Sequence, residues 1–251
     1  MATYTLLQWN VWYKENPNNI KQLLAKLSPD IACFQELTVG YEIHNRMNVP
    51  DYIVEETEYE AVFEMAQYWP SKEGNEILGN ALISKHPITL LNTNHVKPVN
   101  NDDFEDYSKE GRVAVFGVVE LDGYPITVAT THLSYTDRFE ETQEKIEEEK
   151  NLLEAISSYN SDFFLTGDFN TDENSYLIKN LQQQLVHTGP DFDTKTWTTK
   201  PFNYKRFTEN ELRWRLDYVF CTPDIIIKKA ETIQTEYSDH LPILVTFEIS
   251  N

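Results

Sequence analysis

The stretch Thr3-Tyr4-Thr5-Leu6-Leu7-Gln8-Trp9-Asn10-Val11, followed by Asn16-Pro17-Asn18 and then by Ile31-Ala32-Cys33-Phe34-Gln35, decides the fold. The first segment alternates and carries Tyr, Leu and Trp, which reads as a strand. Asn16-Pro17-Asn18 opens a helix that runs to about Leu27, where Ser28-Pro29 stops it. The segment 31–35 is a second, buried strand. Strand, helix and strand in so little sequence imply a parallel pair with the helix packed on the sheet.

Working outward, further strands are expected at 51–55, 61–66, 81–84, 88–95, 113–121 and 126–131, the last two joined by Asp122-Gly123, a strong hairpin signal. From 137 to about 158 the pattern turns helical, with Ile146, Leu152, Leu153 and Ile156 as its apolar positions. The segment 162–166 is strand again, 175–185 a short helix, and 216–220, 225–235 and 243–249 close the chain as strands. Strands outnumber helices and no composition break divides the chain. The expectation is one α/β domain over residues 1–251, built from two mixed β-sheets stacked face to face with helices on the outer faces. Three polar and aromatic loops, 67–79, 99–111 and 194–213, are expected to decide what is bound.

A unit of this size hides roughly 70 to 75% of its unfolded surface, so neither metal nor disulfide is needed merely to hold it together. Cys33 and Cys221 each lie in an apolar run and are expected to be buried and reduced. No basic segment followed by an apolar one opens the chain, and no apolar run reaches membrane-spanning length. A cytoplasmic protein with no membrane partner, acting as a monomer, is therefore expected. The formal charge of −20, from 41 acidic against 21 basic residues, disfavours tight binding to long duplex nucleic acid, which draws its strength from Lys and Arg. A small phosphate ester, or a short nucleic-acid end, stays open because bound cations can supply the missing positive charge.

Six polar signatures on or beyond strand candidates carry the chemistry: Asn10 in Trp9-Asn10, Glu36 in Gln35-Glu36, His132 in Thr131-His132-Leu133, Asp168 and Asn170 in Gly167-Asp168-Phe169-Asn170, Asp217 in Arg215-Leu216-Asp217-Tyr218, and Asp239-His240 in Ser238-Asp239-His240-Leu241-Pro242. Hydrolysing a phosphoester at neutral pH needs a hard cation, an activated water and help for the leaving oxygen. Magnesium or manganese wants carboxylate and amide oxygens. Glu36 ends a buried strand with no cation adjacent in sequence, so its charge needs a partner, most simply a metal. Asn10 could present its carbonyl oxygen to the same ion. Taken alone, Glu36 reads equally as a helix cap or a salt bridge. Asp168 and Asn170, two apart in extended backbone, face one side, where the carboxylate can take a proton from water and the amide can hydrogen-bond a phosphoryl oxygen. A calcium loop has the same opening spacing of Asp168, Asn170 and Asp172. It fails at Glu173, where Gly is required, and at Lys179, where Glu is required. An imidazole at His240 works best with its other nitrogen held by a carboxylate, for which Asp217 is the candidate.

This ordered set resembles the endonuclease/exonuclease/phosphatase superfamily, the deoxyribonuclease-I-like fold, over Leu6 to Ile243. The resemblance implies a four-layer α/β/β/α sandwich with Mg²⁺ or Mn²⁺ at one end. It implies that Asn10, Glu36 and Asp239 serve the metal, Asp168 acts as base and Asn170 orients the phosphate. It further implies that Asp217 orients His240, that His240 contacts or protonates the scissile phosphate, and that His132 stabilises the transition state. The expected activity is a phosphodiesterase acting through an Asp168-activated water. Trp-Asn, Gln-Glu, Gly-Asp-x-Asn, Ser-Asp-His and Thr196-Trp197 are also similar to 5′-tyrosyl-DNA phosphodiesterases, which keeps nucleic-acid end processing or an endonuclease open. Abasic-site endonucleases share residues 214–218, but their Asn-Ile-x-Gly-Leu-Arg opening is replaced by Asn10-Val11-Trp12-Tyr13. Bacterial sphingomyelinases are usually secreted. A catalytically silent binding module is disfavoured because no acid/base residue is missing.

Other conspicuous features have plainer readings. The run Glu140, Glu141, Glu144, Glu147, Glu148 and Glu149 reads as the wet face of a helix. Met65, Tyr68, Trp69, Trp197, Phe202, Tyr204 and Phe207 could stack on a base or an aromatic leaving group, or simply pack an edge. Arg112 could grip a phosphate or be an ordinary surface residue.

Overall fold

The structure is a computed structural model that describes residues 2–100 and 106–249. Two six-stranded mixed sheets account for most of it. The first runs, edge to edge, β13 (Ile226–Thr232), β14 (Ile243–Glu248), β1 (Thr3–Asn10), β2 (Ile31–Val39), β4 (Glu76–Ser84) and β3 (Glu60–Trp69). The second runs β5 (Ile88–Lys97), β6 (Arg112–Leu121), β7 (Tyr124–His132), β8 (Phe163–Asp168), β12 (Asp217–Cys221) and β9 (Val186–His187). A separate ribbon pairs β10 (Phe202–Tyr204) with β11 (Phe207–Glu209).

Strand alternation explains the layering. Leu6, Ile31, Cys33, Leu82 and Val245 of the first sheet meet Val115, Val128, Phe164 and Val219 of the second in one core. The opposite faces take the helices. Leu7, Trp9 and Phe34 pack against α1 (Pro17–Leu27) and α2 (Val49–Val54) through Ile20, Leu24 and Ile53. Phe116, Ala129 and Leu165 pack against α3 (Gln143–Ile156) and α4 (Tyr176–Leu181) through Leu152, Ile156 and Leu177. Four layers result, α/β/β/α. No helix among the described residues is long and apolar enough to cross a membrane.

Each sheet contains one β-α-β unit with parallel strands: β1-α1-β2, with Asn10 opposite Gln35, and β7-α3-β8, with His132 opposite Asp168. Both units therefore release their strand ends at the same rim of the sandwich. Asn16 caps α1, its side chain accepting from the Asn18 N–H, and Ser28 ends it in left-handed backbone. The hairpin β6/β7 turns at Asp122 and Gly123, with φ of 52° and 87°.

Four sequence expectations differ from the structure. The segment 51–55, with its β-branched and aromatic run, is helical as far as Val54, the end of α2, because Asn48 caps it by accepting from the Asp51 N–H and Pro50 pre-sets its first turn. Strands β3 and β4 extend into 67–79, pairing as far as Trp69 with Glu76, so that loop shrinks to its tip. The helical pattern from 137 is broken: Asp137–Phe139 is a single 3₁₀ turn with Arg138 and Phe139 at positive φ, and α3 starts after the Thr142 cap. Most consequential, Glu148 and Glu149 are buried, while Glu140, Glu141, Glu144 and Glu147 face solvent. Of the expected loop 99–111, residues 101–105 lie outside the described residues.

Candidate active site

The ends of β1, β2, β7, β8 and β12, with the turn before β14, bring all eight candidate residues into one cavity or its floor. The cavity has a volume of about 420 Å³ and is lined by Glu36, His132, Asp168, Asn170, Asp239 and His240 among others. Asn10 and Asp217 sit directly beneath, both fully buried.

Local backbone explains how each side chain is aimed. Glu36 occupies a bulge where the β2/β4 register shifts between Phe34 and Leu37, and its φ of 62° is left-handed. Asn170 is left-handed too, at φ 48°. Gly167, at φ 155°, lets β8 pass β7: a Cβ there would lie 2.1 Å from the Thr131 carbonyl oxygen. Asp168 and Asp217 are direct cross-strand partners in the antiparallel β8/β12 pair. Ser238, φ 64°, locks the last turn: its hydroxyl donates to the Asn10 carbonyl at 2.7 Å and accepts from the His240 N–H at 3.0 Å.

The hydrogen bonds form one continuous set. Asp217 Oδ2 accepts from His240 Nδ1 at 2.8 Å, and His240 Nε2 lies 3.5 Å from Asp168 Oδ2. Asp168 Oδ1 accepts from the Asn170 N–H at 3.0 Å, and Oδ2 accepts from Asn10 Nδ2 at 2.9 Å. Asn10 Nδ2 also donates to Glu36 Oε1 at 3.0 Å, and Glu36 Oε2 accepts from the Tyr13 N–H at 2.9 Å. His132 Nε2 is 3.5 Å from Asp168 Oδ2 and its Nδ1 is 3.9 Å from Glu36 Oε1. Asp239 Oδ2 accepts from Trp197 Nε1 at 3.1 Å.

Two carboxamides face differently from expectation. The Asn10 oxygen does not point toward the carboxylates: it accepts from the Trp12 N–H at 3.0 Å, and the amine end faces Glu36 and Asp168. Two acidic neighbours repel a carbonyl and attract an N–H, which fixes that orientation. Asn170 Nδ2 spends both its hydrogens within the protein, on the Leu133 carbonyl at 2.9 Å and on His132 Nε2 at 3.0 Å. The Leu133 carbonyl holds the amide this way round, so His132 Nε2 is the accepting nitrogen and its proton sits on Nδ1, toward Glu36.

Burial and neighbouring charge polarise the set. Burial pushes the Asp168 carboxyl up to about 7, with Asp217 adding to the rise and His240 opposing it. Burial, and then the charge of Asp239, raise Glu36 above the ordinary carboxylate range. Burial and the Arg112 charge hold His132 well below its ordinary value, so it stays neutral. Burial works against a charged His240, but Asp217, Asp168 and Asp239 outweigh it and hold the imidazole well above its ordinary value. Two imidazoles within reach of one carboxylate thus carry opposite protonation states, a neutral acceptor and a cation.

Asp168, Asp217 and His240 offer ligand atoms within 4.8 Å of one another, compact enough to hold an ion. In this arrangement Asp217 and the His240 ring are committed to each other, and Asp217 Oδ1 is buried without a hydrogen-bond partner. The all-oxygen alternative is Glu36 with Asp239, the second of which adds to the cost of ionising the first, and both open onto the cavity. That donor set suits a hard divalent cation, which would relieve the repulsion.

Several supporting residues escaped sequence reasoning. Buried Lys145 donates to the carbonyls of Ser134 and Phe169, both at 2.8 Å, tying the chain after His132 to the chain before Asn170. Glu148 Oε1 accepts from the Ser134 N–H at 2.7 Å, which is why that stripe of α3 is dry. Buried Arg215 donates to the carbonyls of Asp217 and Thr194 at 2.7 and 2.9 Å and reaches His187 Nε2 at 3.3 Å. Thr196 Oγ1 accepts from the Asp217 N–H at 3.2 Å while its carbonyl accepts from the Leu241 N–H at 2.8 Å, bracing Asp217 against the His240 turn. Glu15 accepts from the Ser238 N–H at 3.1 Å. Arg112 is buried, not on the surface, and its Nη2 is held by Glu110 and the Tyr107 carbonyl, each at 2.9 Å. Of the residues singled out in sequence for stacking, Trp69, Trp197, Phe202 and Tyr204 line the cavity; Met65, Tyr68 and Phe207 do not.

A sandwich of two mixed sheets thus carries a buried carboxylate and imidazole cluster at one rim. A family model of the endonuclease/exonuclease/phosphatase family matches residues 7–240, and the chain belongs to that family. Its members are in general hydrolases of phosphoester bonds. The fold matches the endonuclease/exonuclease/phosphatase from Beutenbergia cavernae DSM 12333 at a TM-score of 0.70 and 17% identity, covering 100% of this chain and 72% of that one. It also matches D. rerio TDP2 complexed with a single-strand DNA product, at 0.69 and 17% over 99% and 100% of the two chains. A third match is ANGEL2, a 2′,3′-cyclic phosphatase, at 0.70 and 16% over 98% and 95%. No curated protein sequence matches the chain.

Proposed function

We propose that this chain hydrolyses phosphodiesters with the help of a bound Mg²⁺ or Mn²⁺ ion. The observation that carries the reading is the line Asp217 Oδ2, His240 Nδ1 and Nε2, Asp168 Oδ2, with separations of 2.8 and 3.5 Å. It sets a cationic donor and a carboxylate of near-neutral pKa side by side at the cavity floor. Glu36 and Asp239 would hold the divalent ion, which supplies charge compensation for the phosphoryl oxygens. Asn10, its oxygen turned away, serves the ion indirectly by fixing Glu36.

On this reading, Asp168 accepts the proton of a water poised on phosphorus, a task for which a pKa of about 7 is well matched. His240, kept protonated and oriented by Asp217, hydrogen-bonds the phosphoryl oxygen through Nε2 and can pass that proton to the departing oxygen. Neutral His132, its tautomer set by Asn170, steadies developing charge through Nδ1–H. Asn170 thereby orients the phosphate through His132. The test is turnover of bis(p-nitrophenyl) phosphate before and after EDTA treatment. Activity that vanishes and returns with Mg²⁺ or Mn²⁺ supports the proposal, and metal-independent turnover overturns it.

A further inference from the structure

Half-buried aromatic rings line the cavity. Tyr13, Tyr41 and Trp69 form one wall of the cavity, in successive edge-to-face contacts with centroids 6.2 and 6.1 Å apart. Tyr107 and Tyr204, stacked at 4.3 Å, line the same cavity with Phe202, and the Tyr13 and Tyr107 side chains meet through a hydrogen bond. None of the six is part of the three large cores, Phe202 resting on the small Phe139/Trp197/Phe207 cluster, and each stays partly open to solvent. Rings kept wet around one pocket are the usual means of gripping a flat apolar group.

The charges lining the cavity limit what that group is attached to. Three cations line the cavity: Arg112, whose Nη2 is held by Glu110 and the Tyr107 carbonyl, and Lys14 and Lys200, both placed over the Trp12 ring at 5.7 and 5.6 Å, with Lys200 also donating to the Glu236 carbonyl. So small a group of cations suits one phosphate. A backbone followed over many phosphates needs a track of cations, and the chain as a whole carries −20. A volume of about 420 Å³ is likewise at the small-molecule end of ligand pockets.

We propose that the cavity takes a phosphoester bearing a single planar aromatic group, seated against the Tyr41, Trp69, Tyr204 and Phe202 rings, and not a polymer. This rests on the phosphoester reading and names the substrate class of that site. The aromatic group is either a nucleobase or an aryl alcohol, two sources that present the same π-faces.

Isothermal titration in Mg²⁺ separates these ideas without requiring turnover. Thymidine 5′-monophosphate and 2-deoxyribose 5-phosphate differ only in the base; phenyl phosphate and methyl phosphate differ only in the ring. The nucleotide is expected to bind about 10- to 100-fold tighter than the sugar phosphate. Trp69→Ala and Phe202→Ala should each remove most of that gain, and Trp69→Phe should keep most of it. A second nucleotide, in pTpT, should change affinity less than about threefold. A gain for phenyl phosphate equal to that for the nucleotide assigns the site to aryl groups generally; a gain for the nucleotide alone assigns it to nucleobases. Equal binding within both pairs, or a gain untouched by either alanine variant, overturns the proposal. If binding is equal but bis(p-nitrophenyl) phosphate still turns over, only the aromatic site fails; base-dependent binding with no metal-dependent turnover defeats only the hydrolytic reading.

Discussion

The floor of the cavity and its rim are built by opposite strategies. The floor hangs on the sheets: Asn10, His132, Asp168 and Asp217 stand at strand termini and Glu36 at a bulge within β2, in rigid register and, Glu36 apart, buried. The rim hangs largely on connections: Tyr13 follows β1, Tyr107 lies in a 3₁₀ turn, and Phe202 and Tyr204 belong to a three-residue strand outside both sheets, while Trp69 ends the edge strand β3. The difference teaches which part is fixed by the fold and which part a sequence can vary. Changes in the floor should act on the chemical step, and changes in the rim on binding.

The largest expected effect breaks the floor. Asp217→Asn removes the carboxylate that orients and charges His240, and kcat for a chromogenic diester should fall by about 10²- to 10⁴-fold with KM little changed. An unchanged kcat would show that His240 needs no such support. Next comes Trp69→Ala on the rim, expected to raise KM for an aromatic diester by about tenfold or more while kcat moves less than threefold. A kcat loss as large as that of Asp217→Asn would erase the division between the two regions.

The layer beneath the floor should respond through stability. Lys145→Met deletes two charge-assisted bonds, to the Ser134 and Phe169 carbonyls. About 3 kcal/mol should be lost, with Tm lower by roughly 2–4 °C for each kcal/mol at this chain length. Calorimetry gives the answer, and an unshifted Tm would deny Lys145 its bracing role. The smallest effect concerns His187 behind Arg215. Burial, aided by the Arg215 charge, lowers its pKa from 6.5 to about 4. The unfolded chain therefore takes up a proton before the folded one, so stability is full above pH 6.5 and declines as pH falls toward 4. His187→Gln should flatten that part of the stability profile in urea titrations across the window.

Much of the floor was legible because strand ends leave a readable mark: an apolar run followed by one or two carboxylates, amides or imidazoles, as in Phe163-Phe164-Leu165 before Gly167-Asp168-Phe169-Asn170. The alternation of β1 and the apolar run of β2 likewise marked both as strands. Side-chain orientation was not legible, since the turn of the Asn10 and Asn170 amides depends on carboxylates and carbonyls far away in sequence. Nor was the burial of Glu148, because a helical pattern scores every Glu as wet and cannot see the Ser134 N–H waiting below. The helix α2 hid behind β-branched residues whose preference yielded to the Asn48 cap. The rim was only half visible, as Trp12, Tyr13, Tyr41 and Tyr107 carry no periodic signature and are recruited by the path of their loops.

The central claim is that Asp168, poised near neutrality beside a protonated His240, activates the attacking water. The most direct test is single-turnover hydrolysis of bis(p-nitrophenyl) phosphate in saturating Mg²⁺ by the wild-type protein and by Asp168→Asn, with circular dichroism confirming that both are folded. The account predicts a loss of at least about a hundredfold in the chemical step for the folded variant. A folded Asp168→Asn protein that cleaves at the wild-type rate would contradict it.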